Sequence, residues 1–208
     1  MPSLTTSLAY FKMHLYLDTS HFLSIGLLNE DFTWLQFEHH EKLQHSADIH
    51  AQIFEILKEH NIEILPQTLF LKELFLEKQI LSKRKPSLEE RIDIEYGFDI
   101  AKKIGSLDIG QTVVVKNKMI IAIEAIEGTD EAIKRGCKLA NGEVVVVKVA
   151  KPNQDKRFDI PTIGTQTIET LAKCGGGILA FESSKTIVAD IQQVREFADK
   201  HNICLISI

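Results

Sequence analysis

The run Glu143-Val144-Val145-Val146-Val147-Lys148-Val149 constrains this chain more than any other stretch. Its β-branched side chains are stiff at χ1 and sit well on a pleated surface. Because the valines do not alternate with polar residues, a strand built from them must be covered on both faces, as central strands of α/β sheets are. The following and preceding residues supply the cover. Ser87 and Glu90 form a capping box ahead of a helix carrying Ile92, Tyr96, Ile100 and Ile104 and stopping at Gly105. Gly97 inside that helix costs about 1 kcal/mol against alanine, which a close neighbour or a ligand on that face would account for. Thr112–Lys116 and Met119–Ile126 flank the polar pair Asn117-Lys118, the pattern of a hairpin. Gly128-Thr129-Asp130 opens a helix closed by Asn141-Gly142, and another runs from Thr165 to Cys174 ahead of Gly175-Gly176-Gly177. Short strands follow at Ile178–Phe181 and Thr186–Ala189; Asp190 and Gln193 form a second capping box for a helix to Lys200, and Ile203–Ile206 is a last strand. The fold class predicted is α/β, a mixed and partly parallel sheet flanked by helices.

The beginning of the chain has a different character. Residues 1–50 hold six of the eight histidines, the single tryptophan and one glycine, Gly26. Strands are expected at Met13–Asp18, Phe22–Leu28 and Thr33–Phe37, with a turn at Asn29-Glu30-Asp31. A helix capped by Ser46, a short strand at Ile62–Leu65 and a short helix at Leu69–Leu76 are expected next. The division expected is a small β-rich segment over 1–47 and an α/β domain over 48–208.

Composition narrows the function. With 24 basic and 29 acidic residues the formal net charge is -5, the wrong balance for a nucleic-acid footprint. Cys137, Cys174 and Cys204 are too scattered for a zinc knuckle or a redox pair. No apolar run is long enough to span a bilayer, and no basic residue precedes a long apolar stretch at the N-terminus, so neither a membrane anchor nor a secretory signal is expected. Gly-x-Gly-x-x-Gly, the P-loop and the Gly-x-Ser-x-Gly elbow are absent. His40-Glu41 is followed by Gln44 where a zincin needs histidine.

The richest stretch is 148–164, which follows the valine strand and precedes a helix, the position where open α/β sheets bind ligands. Lys148, Lys151, Lys156 and Arg157 suit phosphate oxygens, and Asp155 and Asp159 suit a divalent ion or an oriented water. A solvated loop of mixed charge is the competing explanation. Glu124, in an otherwise apolar strand, needs a cation or the mouth of a cavity. Glu127 and Asp130 flank Gly128, where backbone can approach a ligand closely; Thr129 and Asp130 could equally just cap the helix. Asp108-Ile109-Gly110-Gln111, at the start of the hairpin, is a further candidate.

These segments, in this order, resemble the C-terminal part of the LpxI-type UDP-2,3-diacylglucosamine pyrophosphatases over residues 48–208. The segments are 68–74, Lys85-Pro86 with its helix, 108–111, 124–130, 151–155 and 159–164. Asn153 stands where the family pattern has glycine. The resemblance implies a hydrolase of lipid A biosynthesis that cleaves UDP-2,3-diacylglucosamine to 2,3-diacylglucosamine 1-phosphate and UMP, water attacking the α-phosphorus with the help of Mg²⁺. Under it, Asp155, Asp159 and Glu127 are the expected catalytic residues, and the same three with Asp130 the expected Mg²⁺ ligands. Lys148, Lys151, Gln154, Arg157, Thr129, Gln111 and Thr162 are the expected substrate-binding residues. The acyl chains need an apolar surface, for which Leu69–Leu76 and the 87–104 helix are candidates. The resemblance implies a cytoplasmic protein and allows contact with the inner face of the inner membrane and a homodimer.

Family members also carry a Rossmann-like N-terminal domain, which the first fifty residues do not resemble. Residues 12–46 are instead similar to the start of the TsaB-type tRNA threonylcarbamoyladenosine accessory proteins. Two other readings stand beside the hydrolase: a catalytically weak or inactive homologue that binds a ligand or protein, and a TsaB-like scaffold in tRNA modification.

Overall fold

The computed structural model describes residues 71–152 and 160–208, the strands 24–28 and 34–38, and the single residues Lys58, Pro66 and Thr68. The chain divides into two compact units, Met1–Glu63 and Ile64–Ile208. In the first, β1 (Ser24–Leu28) and β2 (Trp34–Glu38) form an antiparallel hairpin in the register Ser24 to Glu38 and Leu28 to Trp34. These are the second and third strands expected there. The strands expected at 13–18 and 62–65 lie outside the described residues, as does the helix expected from Ser46 apart from Lys58, which is helical.

The second unit is a mixed α/β layer structure. Its six-stranded sheet has the order β3 (Gln79–Ile80), β10 (Cys204–Ser207), β8 (Gly177–Phe181), β6 (Val144–Lys148), β4 (Thr112–Lys116), β5 (Met119–Ile123). β6, β8 and β10 are parallel; β4 runs antiparallel to β6, β5 to β4 and β3 to β10. The valine strand β6 thus lies inside the sheet and is buried along its length. Its alternate side chains serve two cores. Val144 and Val146 meet α2 (Thr129–Ala140), α3 (Thr165–Lys173) and α4 (Ile191–Lys200) through Ile133, Leu171 and Val194. Val145 and Val147 meet α1 (Leu88–Ser106) through Ile94, Ala101 and Ile104. Successive parallel strands step one way across the sheet, so the right-handed crossovers through α3 and α4 fall on one face. A separate parallel pair, β7 (Thr162–Ile163) with β9 (Ile187–Val188), completes the unit.

Local signals explain the element ends. Ser87 accepts from the Glu90 N–H and Glu90 from the Ser87 N–H, the reciprocal pair that starts α1. Asn117 and Lys118 both take positive φ, 53° and 62°, the two-residue turn whose twist suits a hairpin. Gly97 explains itself by proximity: a Cβ there would lie 2.7 Å from Val147 Cγ2 and 2.9 Å from Val115 Cγ2, so the glycine lets α1 ride close on the sheet.

Four expectations are corrected. The expected helix at 69–76 is, over its described part, one 3₁₀ turn, Lys72–Leu74, because Phe75 turns extended and bridges Ile187. The buried side of α1 carries Asp93, Ile94, Gly97, Ala101 and Ile104, whereas Ile92 and Tyr96 are exposed; close packing at Gly97 decides which face turns inward. At α4 only half a capping box forms. Asp190 accepts from the Gln193 N–H, but the Gln193 side chain accepts from the Thr165 hydroxyl instead. The start of α2 is capped by neither Thr129 nor Asp130: the N-cap is Gly128 at φ 81°, and no side chain bonds there.

Candidate active site

Strand directions gather the chemistry at one sheet edge. β6, β8 and β10 all end there, at Lys148, Phe181 and Ser207. β5 ends at the same edge ahead of Glu124, and antiparallel β4 begins there at Thr112, just after Gln111. Lys148, Lys151, Gln111, Glu124, Thr129, Asp130 and Thr162, dispersed over more than fifty residues, are therefore brought to this edge.

At its centre, Lys148 is buried although it ends an apolar strand. Its Nζ donates to the Thr129 hydroxyl at 3.1 Å and to the Thr162 carbonyl at 2.9 Å. Thr129 donates in turn to Glu124 Oε1 at 2.8 Å and lies 3.3 Å from the Thr112 hydroxyl. The buried Glu124 also accepts from the Gln111 N–H at 3.3 Å. Gly110 is required here, because any Cβ would run into the Glu124 backbone carbonyl. A buried carboxylate and a buried ammonium are thus joined through one hydroxyl, the hydrogen bonding that makes burial of charge tolerable.

Beside them a cavity of about 490 Å³ is lined by Glu127, Thr129, Asp130, Lys148, Gln166 and Thr167. Asp130 accepts from the Gln166 side-chain amide at 2.7 Å with Oδ2, while Oδ1 is buried without a partner. Arg135 donates to Glu127 Oε1 and the Ala125 N–H to its Oε2. The Arg135 hydrogen bond, the largest influence, holds the Glu127 carboxyl below the usual range. Lys151 pairs with Asp108 at 2.5 Å and lines a second, smaller cavity with Thr68, Phe75, Pro152 and Pro161.

Asp155 and Asp159, with Gln154 and Arg157, lie outside the described residues. Among the described residues no three histidine, cysteine or acidic side chains form a group that could hold a metal ion. One carboxylate nonetheless fits Mg²⁺, which is commonly held by one or two carboxylates together with water and substrate phosphates. The buried, unpartnered Asp130 Oδ1 supplies one such oxygen.

The same edge holds a charged group that the sequence reading did not select. Glu182, immediately after β8, is buried and pairs with Lys102 at 3.0 Å and Lys185 at 2.8 Å. Burial pushes its carboxyl up, but the hydrogen bonds from Lys185, Lys102 and the Ala150 N–H prevail and hold it below the usual range. Its one visible signal is position: an acid directly after Ile178–Phe181, as Lys148 ends the valine strand.

A mixed sheet with its charged groups at the carboxyl ends of parallel strands is the frame of a ligand-binding α/β domain. The LpxI C-terminal domain family matches residues 77–206, and the chain belongs to that family. Among curated proteins, the UDP-2,3-diacylglucosamine pyrophosphatase LpxI of Caulobacter vibrioides is 35% identical over 144 residues, 65% of this chain and 51% of that protein. The chain thus spans about half the length of the curated relative it matches. The likeness of residues 12–46 to TsaB-type proteins gains no support from these matches. Among the described residues, no helix is long and apolar enough to cross a membrane.

Proposed function

We propose that this domain serves the hydrolysis of the pyrophosphate bond of UDP-2,3-diacylglucosamine, giving 2,3-diacylglucosamine 1-phosphate and UMP in lipid A biosynthesis. The observation that carries the reading is that the buried Lys148 lines one cavity with Asp130, whose Oδ1 has no hydrogen-bond partner. The pairing suits a diphosphate approaching with a divalent ion.

In this reading Lys148, fixed by Thr129 and the Thr162 carbonyl, meets charge developing on phosphate oxygens without having to reorganise. Lys151, Gln154 and Arg157 add to the grip on the diphosphate, and Gln111 and Thr162 line the approach. Asp130, Asp155 and Asp159 would hold Mg²⁺. When bound, that ion supplies charge neutralisation on the phosphates and a more acidic water. Asp155 or Asp159 orients the attacking water. Glu127, engaged by Arg135, shapes the rim of the site. Cytoplasmic work at the inner membrane face follows from an acylated substrate, and a homodimer is compatible with it.

The test is release of UMP from UDP-2,3-diacylglucosamine by purified protein, with Mg²⁺ and with EDTA. Mg²⁺-dependent release is expected. Replacing Lys148 by Met should cost about 10²–10³ in kcat, the usual effect of losing one preorganised group. Binding of the nucleotide lipid without any UMP above a Lys148→Met control would overturn the hydrolase reading.

A further inference from the structure

Four backbone groups where the chain leaves β6 are taken up by specific partners. The Lys148 carbonyl accepts from the Glu182 N–H at 3.0 Å, and the Val149 N–H donates to the Gln111 carbonyl at 2.9 Å. The Ala150 N–H donates to Glu182 Oε2 at 2.9 Å, and the Ala150 carbonyl accepts from Lys102 Nζ at 2.7 Å. The last two partners are themselves an ion pair, at 3.0 Å. The two side chains come from different elements: Lys102 from α1, Glu182 from the end of β8, eighty residues apart.

Ordinary stability does not explain this arrangement. Taking a carboxylate and an ammonium out of water costs about what their attraction returns, so a largely buried pair is weak evidence for added stability. Geometry does explain it, because Ala150 lies between Lys148 and Lys151. A backbone held by fixed charges at both its N–H and its C=O cannot rotate without breaking a charge-assisted hydrogen bond.

We propose that Glu182, with Lys102, is a positioning residue that clamps both backbone groups of Ala150 and thereby sets the directions in which Lys148 and Lys151 project. This role rests on the reading of those lysines as the diphosphate grip. In this role Glu182 acts through the backbone. Lys185, mostly exposed, donates to the other Glu182 carboxylate oxygen, Oε1.

The experiment compares the whole chain with its Glu182→Gln, Lys102→Met and Lys102→Arg variants. The first reading is amide hydrogen exchange resolved by residue. Exchange at Ala150 should accelerate about tenfold or more in Glu182→Gln and Lys102→Met, while Val146 and Leu179 in the core stay near the parent rate. Lys102→Arg, which keeps the charge and a donor, should restore most of the protection. The second reading is steady-state UMP release, in which kcat should fall about tenfold with KM little changed, since the interaction lost serves alignment. Ala150 exchange unchanged in both charge-removing variants overturns the clamp. So does acceleration at Val146 and Leu179 by the same factor as at Ala150, which marks a general loss of stability. If the parent releases no UMP, the hydrolase reading fails, and the exchange data still decide the clamp.

Discussion

The Lys148 ammonium donates to the Thr129 hydroxyl over 3.1 Å, and that hydroxyl donates to Glu124 over 2.8 Å. One side chain on the first turn of α2 thereby links the end of β6 to the residue after β5. Replacing it by valine keeps the shape and removes both bonds, leaving the buried Glu124 acceptor and the buried Lys148 donor each one partner short. Thr129→Val should lose about 1–3 kcal/mol in urea denaturation, the cost of an unsatisfied buried group. Thr129→Ser, which keeps the hydroxyl, should lose well under half of that. Equal losses for the two would show that the methyl, not the hydroxyl, matters.

Contact between α1 and the sheet gives a second expectation. Alanine is the better helix former by about 1 kcal/mol. At Gly97, however, its Cβ would press on Val147 and Val115 at 2.7 and 2.9 Å. Gly97→Ala should therefore destabilise, by about 1–3 kcal/mol for overpacking. In the double variant with Val147→Ala part of that loss should be recovered, a coupling that a double-mutant cycle measures directly. A stabilised Gly97→Ala protein would refute the close approach.

Acid stability follows from Glu182. Its carboxyl is held below the ordinary value of 4.5, so the folded chain binds the proton less readily than the unfolded one. The stabilisation is fully present above the unfolded value and is lost as pH falls through the folded one. Urea midpoints should decline below about pH 4.5, and the decline should be shallower in Glu182→Gln. Glu127, lowered by Arg135, acts in the same direction, so Glu127→Gln serves as the exposed comparison. Parallel slopes for parent and Glu182→Gln would remove Glu182 as a source of the acid response.

Thiol chemistry gives a fourth expectation. Burial pushes the Cys204 thiol up to about 11, and burial followed by a hydrogen bond with Cys174 raises Cys137. The thiolate is the reactive form. At pH 8 a disulfide reagent should modify the half-buried Cys174 first and leave Cys137 and Cys204 protected until the chain unfolds. Prompt labelling of all three in the native protein would contradict this packing.

The sequence by itself determined the elements whose signals are local. A β-branched valine run with no alternation suits a strand covered on both faces, and β6 is one. Ser87 and Glu90 satisfy one another within a single turn, and Asn117-Lys118 makes its hairpin turn from its own backbone angles. Gly97 signalled either a neighbour or a ligand on its face, because a helix interior tolerates glycine only at a cost. The tertiary structure alone decided strand direction, and with it which candidates share an edge. It also decided that Asp93 turns inward to accept from the Asn117 and Lys118 N–H groups, that Gln79–Ile80 pairs with the last strand, and that Glu182 finds Lys102. The physical reason is the range of the forces involved. Backbone preference and hydrophobic period act over a few residues and can be read along the chain. The burial of a charge depends on a partner that only chain folding brings close, and no spacing in the sequence records it.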